Sequence, residues 1–336
     1  MGFSWVFLTR LYKITPSVPK FLTSQLSTQN VDYSPIAKVR VVSQTNSITL
    51  SRLERRGDPR RAVKVADGLS EMYLDPTQIW EHEDMTEDDV LGQNSNPSIL
   101  AISGVSDVIS SKEYARARKM MVLKQRISAR LEKMYADLVS SGQITYSDGG
   151  NVFTSAFVAP TNYTLATTTK IVSDLEDMIL NMKAAGFIPA FIIVSPSVAR
   201  ALWDNTQFNK AVDKMTFNLA QMNQTASNIA YGQLLASIVN LPPIYVYDGQ
   251  YVDDNGAVQH FFNDKMIIVS KDAIGTGYGA FVNFNIDISG NPIMGDVFSW
   301  EDKPEDGHAL YLNVTSRPLP YIVNSNGLKI YNVTIS

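Results

Sequence analysis

Apolar residues recur along this chain with distinct periods, and each period predicts a different element. Met120, Leu123, Ile127, Leu131, Met134 and Leu138 follow one another at steps of three and four, which places them on one face of a helix. Ser110 with Glu113 forms a capping box at its start, and Gly142 supplies a left-handed stop. At 1.5 Å per residue such a helix runs about 40 Å. A second stripe, Ile171, Leu175, Met178, Ile179 and Met182, predicts a helix ending at Gly186. The unbroken apolar run Phe187 to Val194 then reads as a buried strand. Ser195 and Pro196 open a third helix carrying Val198, Ala201, Leu202 and Trp203, with Ser195 as its cap. Helix, strand and helix in this order indicate a mixed α/β domain.

Elsewhere the pattern is that of strands and turns. Residues 143 to 165 read as two strands around Asp148-Gly149-Gly150. Beyond Leu234 the segments Ile244 to Tyr247, Val258 to Phe262 and Met266 to Ser270 predict a hairpin plus a further strand, with a turn at Asp253 to Gly256. Gly275-Thr276-Gly277-Tyr278-Gly279 lacks the lysine and the following helix of a phosphate cradle, and is expected to be a bend between strands. Strands follow at Phe281 to Ile288, Leu310 to Val314 and Ile330 to Ile335, the last two expected to return to the sheet near residues 143 to 158. Residues 1 to 47 carry few periodic signals, and Pro16, Pro19 and Pro35 oppose helix, so they read as an extended arm. Loose alternation from Ile48 to Val65, broken by Gly57-Asp58-Pro59, predicts a long hairpin. The acidic return past Pro76, Trp80 and Pro97 has no period strong enough to build a core and must find its partners elsewhere.

Composition narrows the function classes. The chain has 336 residues, 45% of them hydrophobic, enough to bury one large or two medium cores. The absence of cysteine excludes disulfides, thiolate metal sites and a cysteine nucleophile, and suits assembly in a reducing cytoplasm. No apolar stretch approaches the ~20 residues of a membrane span, so no membrane partner is expected. Met1 to Leu11 is apolar but lacks the basic leader and cleavage site of a targeting segment, and is read as part of the arm.

The formal net charge is only −4, yet the charges are sorted. Arg52, Arg55, Arg56, Arg60, Arg61 and Lys64 cluster first. A run from Asp67 to Asp89, including Glu81, Glu83 and Asp84, follows without a Lys or Arg. Such a chain can pair with itself or with another copy. The long helix is basic in turn, with Arg116, Arg118, Lys119, Lys124, Arg126 and Arg130 outnumbering Glu113 and Glu132. These bases read either as a solvated face or as a non-specific contact to nucleic-acid phosphates.

No set of residues converges on catalysis. The Glu81-His82-Glu83-Asp84 cluster lacks the glycine-centred alternation of a calcium loop, and a solvated or partner-facing acidic face is the favoured reading. Ser195 lacks the glycines of a nucleophile elbow, and His82, His260 and His308 have no ligand spacing. Neither a catalytic residue, a cofactor nor a metal is expected.

The order of features resembles the major capsid proteins of tailed bacteriophages with the Hong Kong 97 fold, closest to the lambda-type capsid protein E branch. The resemblance spans nearly the whole chain. It rests on Phe21-Leu22, Asp32, the turn Arg55-Arg56-Gly57-Asp58-Pro59, the helix end from Glu132 to Gly142, the run from Phe191 to Trp203, Ile244 to Val252 with Gly256, and the segment Arg317 to Asn324. It implies an α+β subunit: an N-terminal arm (1–47), an extended loop (48–105), a peripheral domain on a spine helix (106–165), an α/β axial domain (166–300) and return strands (301–336). It implies self-assembly into pentamers and hexamers of an icosahedral virion head, built in the host cytoplasm around double-stranded DNA. Scaffolding, portal and decoration proteins are the implied partners. Arg52, Arg55, Arg56, Arg60 and Arg61 would pair across subunits with Glu81, Glu83 and Asp84, and Arg116, Lys119, Lys124, Arg126 and Arg130 would face the DNA. An encapsulin compartment shell and, more distantly, a soluble metal-dependent α/β enzyme are the alternatives.

Overall fold

A computed structural model describes residues 9, 21–26, 31–45, 68–86, 89, 111–148, 151–156, 158–213, 232–236, 241–252, 256–283, 289–303 and 309–336. Within the expected arm, Phe21–Leu26 forms a short helix, α1, with Phe21, Leu22 and Leu26 buried. Strand β1 (Val31–Tyr33) follows, then β2 (Val39–Thr45), which pairs antiparallel with β3 (Gly68–Leu74). Their ladder ends with Thr45 opposite Gly68. The hairpin expected at 48–66, the arginines within it and the cap at Ser110 lie outside the described residues. Strand β4 (Ile79–Thr86) occupies the acidic return.

The three- and four-residue spacing folds as one helix, α2 (Ser111–Ser141). Gly142 ends it at φ +67°, where a Cβ would also lie 2.0 Å from the carbonyl oxygen of Val158. Strands β5 (Gln143–Asp148) and β6 (Asn151–Ala156) make the expected hairpin. Strand β7 (Thr161–Leu165), helix α3 (Ile171–Ala184), strand β8 (Pro189–Val194) and helices α4 (Pro196–Asp204) and α5 (Thr206–Asp213) come next. Strands β9 (Gly232–Ala236), β10 (Ile244–Tyr247), β11 (Gln250–Val252), β12 (Val258–His260) and β13 (Lys265–Ser270) complete the middle of the chain. Strands β14 (Ile274–Tyr278), β15 (Phe298–Asp302), β16 (Ala309–Ser316), β17 (Pro318–Ile322) and β18 (Leu328–Ile335) close it.

Two sheets organise these elements around α2. The six-stranded sheet runs β7-β18-β13-β8-β10-β9. Its central strands are buried on both faces, which is why β8 reads as a continuous apolar run. Ile192 and Val194 of β8 face α3, α4 and α5 through Leu175, Ile179, Leu202 and Phe208. Phe191 and Ile193 face the other way, into a core shared with α1, Tyr135 and Leu138 of α2, and β17. The second sheet, β15-β16-β4, lays Ile79, Leu312 and Val314 on Met120, Leu123 and Ile127 in the first half of α2. One helix thus joins two separate cores.

Three expectations change. The glycine-rich run is a strand rather than a bend, with β14 between β1 and β17. Its glycines answer to proximity, since a Cβ on Gly277 would fall 2.2 Å from Cγ1 of Val39. The return strands miss the 143–156 hairpin: β16 pairs with β15 and β4, and β18 pairs with β13 and β7. Ser195 does stand at the cap of α4, but its side chain makes no capping bond. Its hydroxyl meets that of Ser197 at 3.0 Å and accepts from the Lys265 amide at 3.3 Å, tying the helix start to β13.

Strand β17 contains two prolines that the pattern of strand residues hides. Gly279 donates its N–H to Arg317 O at 3.1 Å, so the odd-numbered residues point toward β14. Pro318 and Pro320 therefore face away from the ladder, where a missing N–H leaves no bond unmade.

Candidate assembly surface

The basic face of α2 is brought directly against the acidic strand β4, and most of its charges are matched within the chain. Arg116 is buried and ion-paired with Glu301 of β15: Nη2 donates to Oε2 at 3.1 Å, and Nε lies 2.7 Å from Oε1 without hydrogen-bond alignment. Lys119 meets Asp89 at 2.8 Å and also donates to the Asp84 carbonyl. The Asp89 carboxyl is held below its ordinary range, first by the Lys119 hydrogen bond and then by the Thr86 amide. Arg126 lies 3.5 Å from both Glu81 and Glu83. Burial pushes the Lys124 ammonium down, while Arg118 and Arg130 remain exposed. Five bases expected on one surface thus divide into a buried pair, two partnered groups, a half-buried lysine and an exposed arginine.

Strand β4 explains this sorting by its two-residue period. Ile79, Glu81, Glu83 and Met85 turn toward α2, and Trp80, His82, Asp84 and Thr86 turn away and are exposed. On that second face Trp80 is 59% exposed, yet it is held in place. Its indole donates to Asn313 Oδ1 at 3.2 Å, and its ring lies 6.1 Å from the buried Trp300. Asn313 and Trp300 in turn both donate to Asp302 Oδ2, each at 2.9 Å. His82 meets the edge of the Tyr311 ring beside them.

A residue that charge reasoning left on the surface proves central. Glu132 is fully buried on α2. Its carboxylate accepts from the amides of Leu22 and Thr23 at 2.9 Å each, from Thr23 Oγ1 at 2.6 Å and from the Tyr247 hydroxyl at 2.8 Å. The N-terminal helix, the spine and the six-stranded sheet therefore meet on one carboxylate. The signal was present in the spacing: Glu132 shares a helical stripe with Tyr135, Ala136 and Val139, all buried. A second tie runs from Tyr321 of β17 to Asp32 of β1 at 2.7 Å, and burial and that carboxylate raise the phenol's pKa well above its usual value.

A spine helix carrying a three-stranded sheet on one half and a helix-covered six-stranded sheet on the other, with the amino-terminal segment strapped across it, defines a capsid subunit of the Hong Kong 97 type. The chain belongs to the phage major capsid protein E family, whose model matches residues 4–330. Its fold is similar to that of an Escherichia coli CFT073 prophage protein assigned as a capsid protein, with TM-score 0.66 and 13% identity over 99% of this chain and 100% of that one. It is also similar to the capsid of cyanophage P-SCSP1u, with TM-score 0.50 and 8% identity over 96% and 90% of the two chains. No curated protein sequence matches. The family membership places the chain among structural proteins of the virion capsid that associate with themselves, and not among enzymes. It also decides against the compartment-shell and metal-enzyme readings.

Proposed function

We propose that copies of this chain form the pentamers and hexamers of an icosahedral head around double-stranded DNA, built in the host cytoplasm with scaffolding and portal proteins. In this reading α2 with the β15-β16-β4 sheet is the peripheral domain, the six-stranded sheet with α3, α4 and α5 is the axial domain, and the segment between β2 and β3 is the extended loop. The observation that supports the loop's role is the register of β2 and β3. It delivers residues 46–67, with Arg52, Arg55, Arg56, Arg60 and Arg61, from one point on the fold. Because Arg126 already lies against Glu81 and Glu83, Asp84, exposed on the far face of β4, is the acidic charge of that strand that remains for another copy's arginines.

Contact with DNA rests on Arg130 and Arg126, the exposed members of the set expected there, with the half-buried Lys124 adding to the field. Arg116 and Lys119 act within the chain. Such contacts neutralise phosphate without reading bases, and weaken with salt. Reversing Arg55 and Arg56 together to Glu should abolish particles while circular dichroism and thermal unfolding of the subunit stay unchanged. Normal particles from that variant at both low and high salt would contradict the loop's role.

A further inference from the structure

The angle at which a two-stranded ribbon stands on a subunit is set by whatever holds its two roots. The roots of the β2–β3 ribbon, residues 34–38 and 75–78, meet just past the C-terminal end of β14. Apolar packing secures them in part, through Val39, Val41 and Leu74 on the shared core. Such packing is strong but non-directional. Direction comes from Arg317, at the corner between β16 and β17. Its Nη2 donates to Asp75 Oδ1 at 2.9 Å and to Pro76 O at 3.4 Å, while its Nη1 donates to Ala280 O at 2.9 Å. Ala280 in turn donates its N–H to Ile36 O at 3.1 Å. One guanidinium therefore holds the β3 root directly and the β2 root through a single residue.

We infer that Arg317 is a positioning residue that fixes the direction of the β2–β3 ribbon relative to the rest of the subunit. The joint between β3 and β4 is short, residues 75–78, and leaves few dihedrals free to swing. Pro76 holds Asp75 extended, and Gln78 is tied to the second sheet by its Nε2, which donates to Thr315 Oγ1 at 2.9 Å. Gly279 reaches between the two roots: a Cβ there would lie 2.6 Å from the Ala37 carbonyl oxygen and 2.7 Å from Cγ of Pro76. The Arg317 side chain is only 16% exposed, so most of its charge is taken out of water and the Asp75 carboxylate offsets that cost. A planar guanidinium keeps its partners at a fixed angle to one another, which an ammonium on a flexible stem does not. The inference goes beyond the capsid reading, because it concerns the subunit by itself; in a shell it would present the ribbon of every copy at the same angle.

The chain has no native cysteine, so spin labels go only where they are placed. Nitroxides on Ser70→Cys of β3 and Asn181→Cys, exposed on α3, report the ribbon against the body. A second pair, on Asn181→Cys and Lys303→Cys, reports the body against itself. Pulsed double electron resonance on the purified subunit should give one narrow distance distribution for each pair. Arg317→Gln should replace the narrow ribbon distribution with a broad one and leave the body pair narrow. Asp75→Asn, which keeps Arg317 and its carbonyl contacts, should broaden the ribbon pair to a smaller degree, and it decides the matter if Arg317→Gln does not fold. Arg317→Lys keeps the charge without the fork and should restore only part of the narrow distribution. A ribbon distribution that is unchanged in Arg317→Gln and Asp75→Asn, or already broad in the chain with Arg317, overturns the inference. Broadening of both pairs together also overturns it, since Arg317 would then support the whole fold. Failure of the chain to form shells would instead strike at the capsid reading and leave the ribbon distances as they are.

Discussion

Glu132 shows what a single side chain contributes to this subunit. A buried carboxylate is costly unless its lone pairs are filled, and here two amides, a threonine hydroxyl and a tyrosine hydroxyl fill them. Replacing Glu132 by Ala leaves those donors buried without an acceptor and should destabilise the subunit by about 3–5 kcal/mol in chemical denaturation. Limited proteolysis should then cut first near α1, since that helix is held mainly through this residue and the Phe21 side chain packed among Phe191, Tyr245 and Tyr247. Glu132→Gln should recover only part of the loss, because its amide nitrogen presents a donor to donors. An unchanged unfolding midpoint in Glu132→Ala would remove the carboxylate from this role. Counting charges along the helix could not find it, because charge sign says nothing about which face a residue occupies. The spacing to Tyr135, Ala136 and Val139 could. The glycines at 275 and 277 were misread for a related reason: their need is the nearness of Tyr321 and Val39, which only the tertiary structure reveals.

At the level of elements, strong periodicity translated faithfully and pairing did not. Helices α2 and α3 end where Gly142 and Gly186 predicted, and both glycines have positive φ. The acidic return was correctly expected to depend on partners elsewhere, but its partners, β16 and α2, lie far off in sequence. The same long range put β18 beside β7 and β13 instead of the 143–156 hairpin. Contact between α2 and β4 carries a pH signature at Asp89. Its pKa is lowered from 3.8 by Lys119 and Thr86, so the ionised carboxylate stabilises the fold at neutral pH and that contribution is lost as pH falls through the lowered value. Asp89→Asn should therefore lower the thermal midpoint of the isolated subunit at pH 7 by a small amount, and the difference should shrink as pH falls through the lowered pKa of Asp89. A gap between variant and wild type that persists in acid would assign the loss to something other than this pair.

For the whole molecule, the ordered series of motifs pointed to the family, and the arrangement of both sheets on one spine helix bears out the fold. Less legible was the division of labour among charges. Basic helix and acidic segment both looked outward-facing in the sequence, whereas Arg116, Lys119 and Arg126 meet acids of their own chain. Weak contacts between copies then matter through repetition, since a symmetric shell multiplies each one many times. The measurement that tests this account most directly is electron cryomicroscopy of particles from cells that express the chain together with its neighbouring head genes. The account predicts closed shells tiled by pentamers and hexamers into which this subunit fits, with α2 lining the interior. Purified chain that stays monomeric under those conditions, or shells built without it, would contradict the account.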